Sequence, residues 1–410
     1  MKIITLKRGK EESLLRFHPW VFSGAIKQAE NGIEEGDIVE VDTENGAFIA
    51  IGHYQRGSIA VRVLTFDKEA VDNEFWCRRL ASALQVRIAT GIADTPQNNT
   101  YRLVHGEGDM MPGLIIDIYG RTAVVQAHSV GMHLLRHTIA EQLIKAMGGR
   151  IDNVYYKSES TISFVEPENG FLIGGSDVNT AMENGLTFHV DWLSGQKTGF
   201  FVDQRDNRSL VERYARGRRV LNMFCYTGGF SVYALRGGAE QVHSVDASQK
   251  AIELTRRNMA INFPDDQRHE AYCEDAFKFL DSTLVTYDLV ILDPPAFAKH
   301  RGAIRNALKG YTRLNNKAFE KIAKGGLLFT FSCSQVVTKD QFRAAVFTAA
   351  AQAHRHVRIL HQLHQPADHP INIYHPEGGT PKRLTLRSEY FARHWRRASS
   401  PYSKPFLGSG

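Results

Sequence analysis

At 410 residues the chain exceeds what one ordinary core holds, and a usual size of about 150 residues per domain points to three domains. Hydrophobic content of 43% and charged content of 23% exclude a disordered or low-complexity chain, and no uncharged apolar run approaches the roughly 18 residues of a membrane span. A formal net charge of +6 favours an anionic partner without identifying one.

The first ten residues, Met1 to Lys10, contain no apolar signal core, so the sequence reads as cytoplasmic. Residues 1–75 alternate in short strand-like runs, Asp37 to Val41, Ala47 to Gly52 and Ile59 to Leu64, separated by Gly-bearing turns. They predict a small β-rich domain. Residues 76–192 predict a central α+β domain. A helix over Glu69 to Ala89 leads into it, with Phe75, Leu80, Leu84 and Ile88 near helical spacing. A hairpin of Leu114 to Ile118 and Ala123 to Gln126 follows, then a helix over Met132 to Met147 and a strand over Asn153 to Tyr156.

From about Leu193 strands and helices alternate, with strands at 219–224, 241–246, 287–293 and 326–331. Residues 193–398 therefore predict a doubly wound α/β domain, and the polar, Pro- and Gly-bearing tail 399–410 predicts disorder. Cys77, Cys225, Cys273 and Cys333 show neither CxxC pairing nor zinc spacing, which argues against a disulfide framework or a metal. Cys225 and Cys273 read as packing residues. His354, His356, His361, His364 and His369 have no HExxH spacing, and no metal is expected there.

Ligands of an open α/β sheet bind outside the carboxyl ends of its strands. Three strand ends in succession offer a nucleoside pocket here. The first runs into Cys225-Tyr226-Thr227-Gly228-Gly229-Phe230, a turn that lets backbone approach a ligand closely. The second ends at Asp246, placed to accept hydrogen bonds from two ribose hydroxyls, and the third precedes Asp275-Ala276, placed to meet an adenine. No GxxxxGK[ST] phosphate cradle occurs, so S-adenosyl-L-methionine fits the pocket best. Two further strand ends carry Asp293-Pro294-Pro295-Ala296-Phe297 and Ser332-Cys333-Ser334, which bring an acid and a thiol to the same crevice. A carboxylate to hold a base's polar edge and a sulfur nucleophile to attack its ring are what methylating a pyrimidine carbon requires.

The run Ser194 to Arg208, the turn Tyr226 to Ser231, the stretch Asp293 to Lys299 and Ser332-Cys333-Ser334 resemble the RlmI-type class I methyltransferases, which form 5-methylcytidine in large-subunit ribosomal RNA. His18 to Ile26 resembles that family's N-terminal PUA domain, and Arg102 to Asp109 its central domain. The resemblance implies a Rossmann-like methyltransferase domain behind a PUA-like one. It implies cofactor contacts from Gln196, Lys197, Thr198, Phe200, Asp203 and Arg205, from Phe224, Tyr226, Thr227 and Gly228, and from Asp246, Ser248, Asp275, Ala276, Asp293 and Pro294. Cys333 would be the nucleophile at C6, Asp293 would hold the N3/N4 edge, and Pro295, Phe297 and Lys299 would meet the substrate. The implied partner is 23S ribosomal RNA, with no membrane or metal, and with a homodimer left open.

Many RNA cytosine-C5 enzymes place a second cysteine just after the motif's proline, whereas this chain has Ala296. Two other readings stay open. A DPP motif followed by an aromatic also serves methylation of adenine or guanine nitrogens, with Phe297 stacked on a flipped base and no thiol needed. An RNA-binding ribosome-assembly factor that has lost activity is the third.

Overall fold

Alternating apolar residues turn the N-terminal strands' inner faces into one small core, in which Ile4, Leu6, Val39, Val41, Val61 and Val63 are buried. Six strands form the sheet, in the order Trp20–Phe22, Ile59–Thr65, Phe48–Tyr54, Ile38–Asp42, Lys2–Leu6, Ile26–Ala29. Only Lys2–Leu6 and Ile38–Asp42 pair in parallel. The computed structural model describes residues 1–159, 161, 169–176, 178–375 and 382–390. The tail 399–410, expected to be disordered, lies outside them.

A second sheet orders Asn169–Ile173, Asn153–Lys157, Thr122–Ala127, Leu114–Tyr119 and Thr100–His105. The helix expected from Glu69 starts at Asn73 instead, because the Asp72 carboxylate caps it by accepting from Phe75 N–H at 2.9 Å. The helix expected over 132–147 is two, Val130–Leu134 and Arg136–Met147, since Ser129 caps an early first turn and the chain bends at Leu135. Gly148 ends the second in the left-handed region that glycine tolerates.

The C-terminal sheet has seven strands: β1 Arg219–Met223, β2 Gln241–Asp246, β3 His269–Cys273, β4 Tyr287–Leu292, β5 Ile322–Ser332, β6 Arg355–Gln362 and β7 Lys382–Tyr390. Their order is β3-β2-β1-β4-β5-β7-β6, parallel except for β7, which lies antiparallel between β5 and β6. Helices α1 Arg205–Ala215, α2 Gly229–Arg236, α3 Gln249–Asn262, α4 Ala276–Ser282, α5 Ile304–Lys321 and α6 Lys339–Gln352 cover it. Leu289, Val290, Ile291 and Leu292 are all fully buried, as a parallel strand covered on both faces requires. The strand order reverses between β1 and β4, and a crevice opens there at the carboxyl ends.

A two-stranded ribbon, Thr180–Glu183 with Leu186–His189, links the two sheets. Its Ala181, Leu186 and Phe188 share one core with Tyr119 and Tyr155 of the central sheet and with Val211, Val232 and Tyr233 of the C-terminal domain. Among the described residues no helix is long and apolar enough to cross a membrane.

Candidate active site

A cavity of about 840 Å³ fills the crevice, lined from the ends of β1, β2, β4 and β5 and from the segment that precedes α1. Of the residues singled out above, it brings together Gln196, Lys197, Phe200, Phe224, Tyr226, Thr227, Asp246, Ser248, Asp293, Pro294, Pro295, Lys299 and Cys333. The wall is under backbone tension. Lys197, Phe224 and Tyr226 all have positive φ, 49°, 58° and 49°, and such non-glycine conformations persist where surrounding structure enforces them, often at functional sites.

The enforcing contacts are visible. Tyr226 N–H donates to Asp246 Oδ2 at 3.0 Å and Ser248 N–H to Oδ1 at 2.9 Å, so the β2 carboxylate is fixed by the turn that it faces. Each oxygen keeps a further lone pair for a ligand hydroxyl. The Tyr226 hydroxyl accepts from Gln196 N–H at 3.1 Å, tying the β1 turn to the segment across the cavity. Gly228 sits behind the wall at φ +76°, where a Cβ would lie 2.6 Å from Thr255 Cγ2. Only glycine fits there. Burial pushes the neighbouring Cys225 thiol up to about 12, so it is an inert packing group. Cys273 is exposed instead, because it ends β3 at the edge of the sheet.

On the other side of the cavity, strand pleating decides which groups face it. Ser332 and Ser334 are buried while Cys333 between them is exposed to the crevice. The Tyr311 hydroxyl lies 2.8 Å from Ser334 Oγ and accepts from Ser332 Oγ at 2.9 Å, and Ser334 Oγ accepts Ala298 N–H at 3.1 Å. The strand end with the thiol and the loop with Asp293 are thus clamped to one helix. Cys333 Sγ lies 3.9 Å from Asp293 Oδ1. Gln204 Nε2 donates to Asp293 Oδ2 at 2.8 Å, and Asn207 Nδ2 fixes that amide by donating to Gln204 Oε1 at 2.6 Å.

The remaining expected residues stand off the cavity wall. Asp275 Oδ1 accepts from Phe277 and Lys278 N–H, capping α4, and Ala276 is buried in its first turn. The Phe297 ring lies 4.7 Å from that of Tyr311, and packs over Gly310. Thr198 Oγ1 donates to Asp117 Oδ2 at 2.6 Å and lies 2.9 Å from the Tyr119 hydroxyl. Contrary to the expected cofactor contact, Arg205 is buried and donates to Asp368 Oδ2 at 2.9 Å and to the Thr100 carbonyl at 2.7 Å. Asp203 acts on the same side, through its charge on Arg102 and His369.

Arg205 belongs to a buried clasp of four ion pairs. The others join Arg87 with Asp109, Arg102 with Asp117 and Arg208 with Glu183. It joins the central sheet, the ribbon, α1 and the loop after β6. Burial opposes the charge on Asp368, yet Arg205 and then His369 hold its carboxyl well below the usual range. Sequence reading also missed Gln204, Asp191 and Lys250. Burial opposes the Asp191 charge too, but Lys250 at 2.5 Å and Ser194 keep that carboxyl low at the cavity rim. The only advance signal for Gln204 was its place inside the Ser194 to Arg208 run. Among the described residues no group of three or more His, Cys, Asp or Glu could hold a metal ion.

Residues 150–376 match the family model described as S-adenosylmethionine-dependent methyltransferase, and residues 4–66 match that of a PUA-like domain. Fold and site together therefore define an S-adenosylmethionine-dependent methyltransferase with a PUA-like domain at its N-terminal end. The Asp246 carboxylate, the glycine turn and the largely apolar wall fit that cofactor's ribose and adenine.

Ribosomal RNA large subunit methyltransferase I of Aeromonas hydrophila is 39% identical over 396 residues, covering 94% of this chain and 99% of that protein. The protein of the same name from Escherichia coli is 37% identical over 385 residues, covering 92% and 96%. The chain belongs to the family of these ribosomal RNA large subunit methyltransferase I proteins. Among solved structures, a candidate S-adenosylmethionine-dependent methyltransferase from Streptococcus mutans shares the fold, with a TM-score of 0.80 at 22% identity over 94% of this chain and all of that one. A second, a candidate methyltransferase complexed with SAH, gives 0.81 at 22% identity, covering 94% of this chain and 100% of its own.

Proposed function

We propose that the protein methylates carbon 5 of a cytidine in 23S ribosomal RNA, in the cytoplasm, with Cys333 as nucleophile. Residues 1–75 bind RNA, residues 76–192 form the central support and residues 193–398 carry the chemistry. The observation that carries this reading is the pair of groups on adjacent strand ends, a crevice-facing thiol 3.9 Å from the Asp293 carboxylate. Methylation of a ring or exocyclic nitrogen has no use for that thiol.

Bound S-adenosylmethionine supplies an electrophilic methyl group. Gln196, Lys197, Phe200, Phe224, Tyr226, Thr227, Asp246, Ser248 and Pro294 would hold it, with Asp246 on the ribose. Cytosine C5 is a poor nucleophile until a thiolate adds to C6. Cys333 Sγ forms that bond, and the ring's C5–C6 π electrons become available at C5. Asp293, steadied by Gln204, accepts from the amino group at C4 and shares a proton with N3, which stabilises charge that builds on the ring. After C5 is alkylated its proton leaves to solvent or a neighbouring base, and the electrons of that C–H bond expel the Cys333 thiolate. Pro295 and Lys299 at the cavity lip meet the nucleotide.

The test is a trap. RNA with 5-fluorocytidine at the target should form a covalent adduct with the wild type, because fluorine cannot leave as a proton. Cys333→Ala should form none and lose methyl transfer, while it still binds cofactor and RNA. A Cys333→Ala protein that methylates at the wild-type rate would reject carbon-5 chemistry and favour nitrogen methylation around Asp293 and Pro294.

A further inference from the structure

The formal charge of the whole chain, +6, equals that of one short segment. Residues 294–319 contain Lys299, Arg301, Arg305, Lys309, Arg313 and Lys317 and no Asp or Glu, so the rest of the chain is balanced. From Arg301 onward the spacing is four, which places these side chains in a row about 6 Å apart along α5 and the turn before it. Ala307, Tyr311, Leu314 and Ala318 bury the opposite face of α5, and the row points outward.

The two ends of the row differ. At the far end Lys317 pairs with Asp281 at 2.7 Å and the Arg313 guanidinium lies 4.6 Å from the centre of the Phe277 ring. At the near end Arg301, Arg305 and Lys309 are exposed and have no hydrogen bond or ion pair among the described residues. That end is electrostatically the worst place for them. Like charges at i, i+4 oppose each other, and a helix N-terminus already carries the positive end of the dipole, here with no acidic residue in the first turn. Such an arrangement is relieved by an anion from outside. The row begins at Lys299, which lines the cavity six residues after Asp293.

We propose that Lys299, Arg301, Arg305 and Lys309 form a track for consecutive phosphates of the RNA strand that flanks the nucleotide entering the cavity. The spacing along the helix is close to that of phosphates on a single strand, and the track runs away from the lip along α5 toward α4. The contacts are to backbone, so they position the RNA without reading its sequence. This proposal rests on the reading of the substrate as RNA.

The experiment uses the full chain with Arg301→Gln, Arg305→Gln and Lys309→Gln combined, leaving Lys299 in place. A ribosomal RNA fragment that the wild type methylates is titrated at several KCl concentrations. The log–log salt slope should become shallower by about 0.7 per lost contact, roughly 2 for three, while KM for RNA rises and kcat and S-adenosylmethionine affinity hold. A control removes the same charge at the opposite end of the sheet, with Arg213→Gln, Arg216→Gln and Lys324→Gln, and should keep the wild-type slope. An unchanged slope in the first variant, or an equal loss in the control, overturns the track. A wild type that methylates no RNA and binds none in a salt-dependent way instead removes the reading of the substrate, and the track falls with it.

Discussion

Two groups of cations in this protein have opposite fates. Arg87, Arg205 and Arg208 are buried and Arg102 is mostly so, and each has its own carboxylate, so the clasp is neutral as a whole. Lys299, Arg301, Arg305 and Lys309 are exposed and have none among the described residues. A buried guanidinium must be paired to be tolerated, whereas an unpaired one can stay only where water reaches it and an anion can arrive. The clasp holds the walls of the cavity in place: Asp117 takes the Thr198 hydroxyl from the segment before α1, and Arg208 lies 4.6 Å from the centre of the Phe200 ring on the wall. The row outside has no comparable role in holding the fold.

The comparison can be broken most sharply at Asp368. Its Oδ2 accepts from Arg205 and from the Arg102 N–H, its Oδ1 is 3.0 Å from His369 Nδ1 and its carbonyl accepts from Arg87. Asp368→Ala keeps the carbonyl that Arg87 uses but leaves Arg205, the Arg102 N–H and His369 without the carboxylate, and should cost about 3–5 kcal/mol, read as a large drop in urea midpoint. A loss below about 1 kcal/mol would show that water had replaced the carboxylate.

Acid should separate the two groups next. Burial, then Arg102, push the His105 imidazole down to about 2, and Arg102 Nη1 lies 3.2 Å from its Nδ1. An unfolded histidine takes a proton near pH 6.5, whereas the folded one does not, so stability must fall as pH drops below about 6.5. The share of this one group is about 2 kcal/mol at pH 5. Chemical unfolding of His105→Gln between pH 5 and 7.5 should give a flatter acid slope than wild type; an identical slope would exclude this histidine as the source.

The smallest effect belongs to the outer row. Arg305→Gln should alter unfolding free energy by no more than about 0.5 kcal/mol, with a slight gain if anything, since it relieves a like-charge neighbour. A thermal-shift loss of the size seen for a clasp residue would mean that the row is structural after all.

These contrasts mark what was readable in advance. Asp246, Asp293 and Cys333 could be assigned to one crevice because each ends an apolar strand, and strand ends of a parallel sheet converge. The doubly wound fold followed from the same alternation. Arg205 was misjudged for a physical reason: its partner Asp368 is 163 residues away, and nothing local distinguishes an arginine awaiting a distant carboxylate from one facing a ligand. Asp275 read as a pocket acid, and the fold adds a second role, since its Oδ1 caps the helix that follows; both roles belong to an acid at a strand–helix junction. The charge row could be counted in the sequence, yet the lack of partners at its near end emerged only when the fold showed that no acid among the described residues reaches Arg301, Arg305 or Lys309.

The position of β7 has a consequence for how the molecule comes to exist. The strand that ends beside Cys333 is eleven residues long, and one of its edges is covered only by a strand that begins fifty residues after it ends. During translation at roughly 5–20 residues per second, that edge stays bare for several seconds after it emerges, an open template for a wrong partner. The sheet that leads to Cys333 is therefore finished among the last, and a product that stops short of Lys382 keeps a long adhesive edge beside a nearly complete crevice. Such fragments should aggregate or be degraded rather than linger as partly active enzyme.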